Sequence, residues 1–292
     1  MQFLHGVGVA LVTPFNSDKS IDFESLKNLI DFVINNGVNY VVSLGTTGET
    51  PTLTTKEKLE VLNFTIEVVN QRVPIVAGAG SNNTTALIDE VRSFPLNKIA
   101  AILSASPYYN KPSQAGIFEH YKAIANAIPN TKILLYNVPG RTGKNVEAET
   151  TLLLAATCPN IIGIKEAANN IPQCSKILRD APTGFLVLSG DDDLALAQMG
   201  LGMQGVISVA ANCLPKQFSE MIHAALENNF AEARQLNAKM LLAYDVLFAE
   251  NNPAGVKAFL TELGIIKNNL RLPLVPLSEG VYNRVRGYLN NL

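Results

Sequence analysis

Lys165 ends the apolar run Ile161-Ile162-Gly163-Ile164, within the stretch NIIGIKEAANN at residues 160–170. Lysine is seldom buried unless something compensates it, so an ammonium group at the end of what reads as an inner strand calls for a use. A partly desolvated amine favours its neutral form and becomes a nucleophile toward a carbonyl. The product is a Schiff base, an electron sink that helps an enamine to form. The bland alternative is a strand-end lysine that reaches solvent along its stem or pairs with Glu166. Alternation along a strand argues against the pair, because an inward Lys165 sends Glu166 to the other face.

Schiff-base chemistry also moves protons. Tyr136 is a candidate donor and acceptor, and the Thr47 hydroxyl can join it in a short relay. Arg141 offers a planar fork suited to a carboxylate, or is an ordinary loop arginine. The turn GTTGE at 45–49 collects two hydroxyls and several backbone amides; it reads either as a carboxylate nest or as a plain strand-to-helix turn. It is not a phosphate-binding Walker loop, since the spacing and the lysine are missing. GAGSNNT at 78–84 suggests no more than a tight turn and a helix cap. His5, His120 and His223 are scattered, and His120 reads as a surface or packing residue. No His/Cys/Asp group has metal-ligand spacing, so neither a metal nor a cofactor is expected.

The elements that must position these residues alternate between two patterns. VGVALVT, YVVSLG, VPIVAGA, IAAILSA, KILLYNV, IIGIKE, GFLVLSG and QGVISVA are short and apolar through much of their length. Such runs suit parallel strands covered on both faces. Between them lie amphipathic stretches, as in Phe23, Leu26, Leu29, Ile30 and Val33. Asp22 is a candidate cap for the first helix and Asn36-Gly37 its end; Thr54 or Thr55, with Glu57, caps the second. Eight strand–helix repeats are the number that closes an α/β barrel. A doubly wound open sheet would place a glycine-rich phosphate loop after the first strand, and VALVTPFNSD has none. The expected fold is therefore a (β/α)8 barrel over residues 1–224 with a helical domain at 225–292. In that barrel Thr46, Thr47, Tyr108, Tyr109, Tyr136, Arg141, Lys165, Ser189, Gly190 and Asp191 all fall at the C-terminal ends of strands, where barrel active sites lie.

The bulk numbers exclude several classes. The chain has 292 residues, 47% of them hydrophobic, and a formal charge of −2 from 23 basic and 25 acidic side chains. That suffices for a large core and leaves no basic footprint for nucleic acid. The three cysteines Cys158, Cys174 and Cys213 are an odd, dispersed set, which fits a reducing compartment. The opening MQFLHGVGVALVTPF reads as a first strand rather than a signal peptide, and no run has the length of a membrane span. A cytoplasmic protein with no membrane or nucleic-acid partner is expected.

Taken in order, GTTGE (45–49), SPYYNKP (106–112), YNVPGRTG (136–143), GIKEA (163–167), SGDD (189–192) and GVISV (205–209) resemble the dihydrodipicolinate synthase family of pyruvate-dependent class I aldolases. The resemblance runs along essentially the whole chain. It implies a barrel with a C-terminal helical domain, assembled as a homotetramer of tight dimers. The implied reaction condenses pyruvate with L-aspartate 4-semialdehyde to 4-hydroxy-tetrahydrodipicolinate, on the route to diaminopimelate and lysine. By the same resemblance Lys165 forms the Schiff base, and Tyr136, Thr47 and Tyr109 form the proton relay, with Tyr109 reaching into a neighbouring subunit. Thr46 lies beside the relay, Arg141 binds the semialdehyde carboxylate, and Gly190 and Ile207 line the pyruvate pocket with their backbones. N-acetylneuraminate lyases and 2-keto-3-deoxygluconate-type aldolases carry similar lysine and tyrosine motifs; the arginine of NVPGRTG and the paired tyrosines of YYNKP favour the synthase.

Many members of that family bind lysine as a feedback inhibitor. Tyr108 and Asn82 match that site, but Thr55, Lys58 and Ala86 stand where sensitive bacterial members have histidines and a glutamate. A cationic Lys58 would repel a lysine ligand, and Ala86 offers its amine no carboxylate, so weak or absent inhibition is expected.

Overall fold

The computed structural model of the chain describes residues 2–292. Eight parallel strands close a barrel in sequence order: β1 (Gly6–Ala10), β2 (Tyr40–Ser43), β3 (Ile75–Ala79), β4 (Ala101–Ala105), β5 (Ile133–Asn137), β6 (Ile161–Glu166), β7 (Leu186–Ser189) and β8 (Gly205–Ser208), with β8 pairing back onto β1. Each lies within one of the eight apolar runs except β1, which starts one residue before its run. Around them run α1 (Phe23–Asn35), α2 (Thr55–Val69), α3 (Thr84–Ser93), α4 (Gln114–Ala127), the single turn α5 (Pro139–Thr142), α6 (Ala148–Thr157), α7 (Ile171–Asp180), α8 (Ala195–Gly200) and α9 (Pro215–Leu226). α10 (Phe230–Leu247), α11 (Ala254–Glu262) and α12 (Glu279–Leu289) form the C-terminal helical region.

Burial on two faces explains why the strands read as continuous apolar runs. Val7, Val9, Val41, Ile133, Leu135 and Ile164 belong to the large core between strands and helices. Ala10, Tyr40, Val42, Leu134, Leu188 and Ile207 belong to a second core inside the barrel. The caps follow the sequence: Asp22 accepts from Ser25 N at the start of α1, and Thr54 with Glu57 makes a reciprocal capping box on α2. Asn83, within GAGSNNT, caps α3.

The expected division at residue 224 falls inside α9, which continues to Leu226, and Asn229 then caps α10. α9 packs on β1 as the barrel's last outer helix, and α10 packs on α9. Among the described residues no helix is long and apolar enough to cross a membrane.

Candidate active site

A cavity of about 690 Å³ opens at the C-terminal ends of the strands, within the size range of small-molecule sites. Thr46, Thr47, Tyr108, Tyr136, Arg141, Lys165, Gly190 and Asp191 all line it.

Lys165 faces this cavity because β6 is bulged. Ile161 packs outward and Ile162 inward, so strict alternation from Ile162 would aim Lys165 at the helices. The β5–β6 register shifts between Ile133 and Leu134, which pairs Leu134 with Gly163 and Tyr136 with Lys165. One extra residue in β6 thus restores the phase, with Ile164 outward and Lys165 inward. Lys165 is 5% exposed, and its Nζ lies 4.5 Å from the centroid of the Tyr136 ring, within reach of a cation–π contact.

Glu166 is not the lysine's partner. It is buried on the other face, where Oε1 accepts from Asn137 Nδ2 at 2.8 Å and Ala168 N at 3.1 Å, and Oε2 from Gln173 Nε2 at 2.9 Å. Burial pushes its carboxyl up to about 7, against those hydrogen bonds. Asp191, at the cavity wall, is pushed up to about 6 by burial and by Asp193, with Lys165 pulling the other way. Buried Asp192 accepts from Val209 N and Ala210 N through Oδ2 at 3.0 and 2.8 Å, fixing the turn after β8.

The loop after β7 can pass Lys165 only as glycine. A Cβ on Gly190 would lie 2.6 Å from the Ala167 Cβ and 2.9 Å from Lys165 Cε. GTTGE folds as a 3-10 turn over Thr46–Gly48, bracketed by Leu44 and Glu49 in the left-handed region at φ 59° and 54°. Thr47 is buried inside it. Arg141 sits on α5, exposed at the rim.

Other expected site residues are placed differently. Tyr109 is 87% exposed, with φ 71°, and is not among the residues lining its own chain's cavity. The Ile207 side chain is fully buried in the inner core, and Val209 meets the cavity. His120 is a packing residue: Nδ1 is 2.9 Å from Thr84 Oγ1, and burial pulls the ring down to about 4. Of the degenerate lysine-site residues, Tyr108 and Lys58 line the cavity, the Asn82 carbonyl accepts from Asn110 Nδ2 at 3.2 Å, and Thr55 and Ala86 lie on the exposed starts of α2 and α3. Lys58 is not a free cation, because its Nζ pairs with Glu90 Oε1 at 2.6 Å. Glu90 lies one turn beyond Ala86, so that helix does supply a carboxylate, already matched by the chain's own ammonium.

Residues from the far end of the chain complete the site, and nothing in their local sequence marks them for it. Asn252, just before α11, donates from Nδ2 to Thr47 Oγ1 at 3.0 Å. Lys257 on α11 forms a fully buried ion pair with Glu49, and its Nζ donates to the Asn269 carbonyl at 2.8 Å. Burial pulls Lys257 down to about 8 against the holding effect of Glu49. Glu49 Oε2 also accepts from Arg271 N at 2.9 Å. The Arg271 guanidinium in turn holds Glu57 down to about 2.

The model of the dihydrodipicolinate synthetase family matches residues 3–292. The chain belongs to this family. It is 49% identical to the 4-hydroxy-tetrahydrodipicolinate synthase of Azobacteroides pseudotrichonymphae over 283 residues, 97% of this chain and 95% of that one. Among solved structures, the chloride-inhibited dihydrodipicolinate synthase of Acinetobacter baumannii complexed with pyruvate superposes at a TM-score of 0.95 and 41% identity, covering 99% of this chain and 98% of the other. The synthase of Cyanidioschyzon merolae with lysine bound matches at 0.95 and 36%, with the same coverage.

Proposed function

We propose that the chain condenses pyruvate with L-aspartate 4-semialdehyde to (2S,4S)-4-hydroxy-2,3,4,5-tetrahydrodipicolinate through a Schiff base on Lys165. The observation that carries this reading is a desolvated amine on the inner barrel face, beside the Tyr136 ring, in a cavity whose rim bears Arg141. The synthase name of the near relatives supports the reaction and the acceptor.

Lys165 Nζ attacks the ketone carbon of pyruvate and water leaves, giving an imine conjugated to the carboxylate. The imine withdraws electrons, a methyl proton departs, and the resulting enamine carbon attacks the aldehyde. The substrate's amine then displaces Lys165 as the ring closes. Tyr136, with Thr47 and a Tyr109 supplied by a neighbouring subunit, carries the protons. Thr46 and Gly190 border the keto acid, Ile207 backs the pocket from the inner core, and Arg141 takes the semialdehyde carboxylate. The exposure of Tyr109 supports its service in another subunit, as in a cytoplasmic homotetramer built from tight dimers.

Turnover with both substrates, coupled to a nicotinamide-dependent reductase acting on the product, tests the reaction. Borohydride with pyruvate should add the reduced pyruvyl group to Lys165 in the intact chain, and Lys165→Ala should lose both the adduct and turnover. Adduct without turnover would move the acceptor to a sugar-derived aldehyde; no adduct would end the Schiff-base reading.

Regulation by lysine is weak in this reading. The Lys58–Glu90 pair puts a tethered ammonium on the carboxylate that a ligand amine would seek. A lysine titration should leave activity above half at 1 mM, on the order of the weak-binding limit. Strong inhibition below that level would refute the idea.

A further inference from the structure

We propose that Asn252 is a positioning residue for the keto-acid site: its carboxamide sets the direction of the Thr47 hydroxyl. This rests on the Schiff-base reading above and adds to it a residue contributed by the C-terminal helical region.

The turn that bears Thr47 is held by threonine hydroxyls from the segment after β1 and from its own exit. Thr13 Oγ1 donates to the Gly48 carbonyl at 2.7 Å, Thr50 Oγ1 to the Gly45 carbonyl at 2.8 Å, and Thr52 Oγ1 to the Glu49 carbonyl at 2.9 Å. These bonds hold the backbone but leave the Thr47 side chain free to choose its hydroxyl direction. Asn252 makes that choice from 205 residues away. A hydroxyl has one proton and two lone pairs. With the Asn252 Nδ2–H on one lone pair, the proton points away from the amide. Thr47 then serves as a donor to whatever occupies the cavity that both residues line.

The amide is itself held. Asn252 precedes α11, where Lys257 N donates to the Pro253 carbonyl at 3.0 Å and the Lys257 side chain pairs with Glu49. Two contacts therefore join the same two segments, Asn252 to Thr47 and Lys257 to Glu49. The turn cannot slide along α11 without breaking a buried ion pair, which is costly.

The test compares Asn252→Ala, the isosteric Asn252→Asp, Thr47→Val and the double variant Thr47→Val/Asn252→Ala in the full-length protein. One readout is kcat/KM for pyruvate in the coupled assay. In a sequence where the imine forms before the aldehyde binds, this constant reports only the pyruvate half-reaction. The other is deuterium exchange into the pyruvate methyl group in D2O by NMR, which needs no second substrate. Asn252→Ala should lower both by about tenfold or more, the scale of a misplaced reacting group. The kcat/KM for the aldehyde, which reports only the second half-reaction, should stay within about twofold, the spread of uncoupled sites. Asn252→Asp should do at least as badly, because its carboxylate accepts the Thr47 proton and turns it away. On the Thr47→Val background, Asn252→Ala should cost less than about twofold more, which a merely structural role would not produce. Wild-type rates in Asn252→Ala and Asn252→Asp, or losses that add in the double variant, would overturn the proposal. A wild-type chain that neither exchanges the methyl protons nor traps pyruvate would instead overturn the Schiff-base reading.

Discussion

Gly190 shows how closely Lys165 is confined. A methyl at that position would lie inside the contact distance of both Lys165 Cε and Ala167 Cβ, so the lysine stem would have to move. Gly190→Ala is expected to cut turnover by about a hundredfold, the penalty of roughly 1 Å of misplacement. Its melting temperature should also fall, because the added atom meets the Ala167 Cβ and, at 3.0 Å, the Glu166 carbonyl oxygen, and neither is the end of a flexible side chain. Normal imine trapping in that variant would contradict the crowding argument. The place of Lys165, Tyr136, Arg141 and the two threonines around one cavity was legible in the sequence, because each lies at or just beyond the end of an apolar run. Fold logic set Tyr109 at the barrel mouth, but its proposed service in another subunit, like the proposed place of Ile207 in the pocket, rests on the family, since one is exposed in its own chain and the other is buried in the inner core. Lys58 was legible as a cation but not as half of a pair, because Glu90 meets it across two helices.

Among the elements, the strands were readable because two-sided burial leaves a continuous apolar run. The phase of β6 was not. Simple alternation gives the right facing for Lys165 and Glu166 relative to each other, yet their absolute facing depends on a register shift against β5. A bulge of this kind has no local sequence mark beyond Gly163, where a Cβ would meet the Leu186 carbonyl oxygen at 2.6 Å. The contacts of α11 were hidden for a different reason. In AGVKAFLTEL, Lys257 has the spacing of an ordinary helix lysine, and only the folded chain brings Glu49 to it. Lys257→Ala leaves that carboxylate buried and unmatched, which should cost about 3–5 kcal/mol. Urea denaturation should show this as a lower midpoint with little change in slope. Lys257→Met combined with Glu49→Gln should recover most of the loss. A single variant as stable as the parent would mean that water reaches the pair.

For the whole molecule, the exposure of Tyr109 turns one chain's surface into another chain's machinery in the proposed assembly. Tyr109→Phe and Lys165→Ala should each be nearly inactive alone. Refolded together in equal amounts, they should recover about a quarter of wild-type activity, since half of randomly formed two-fold pairs are mixed and each mixed pair has one complete site. No recovery would place Tyr109 outside the partner's site. The chain order of the site has its own consequence. Thr47, Glu49 and Glu57 leave the ribosome early, whereas Asn252, Lys257 and Arg271, which anchor them, come more than two hundred residues later. A nascent chain released after Ile207 but before Asn252 would carry every side chain assigned to the chemistry, with the turn behind Thr47 unmoored. Completion of synthesis and readiness of the site are thereby coupled, and a truncated product is left without a working imine pocket.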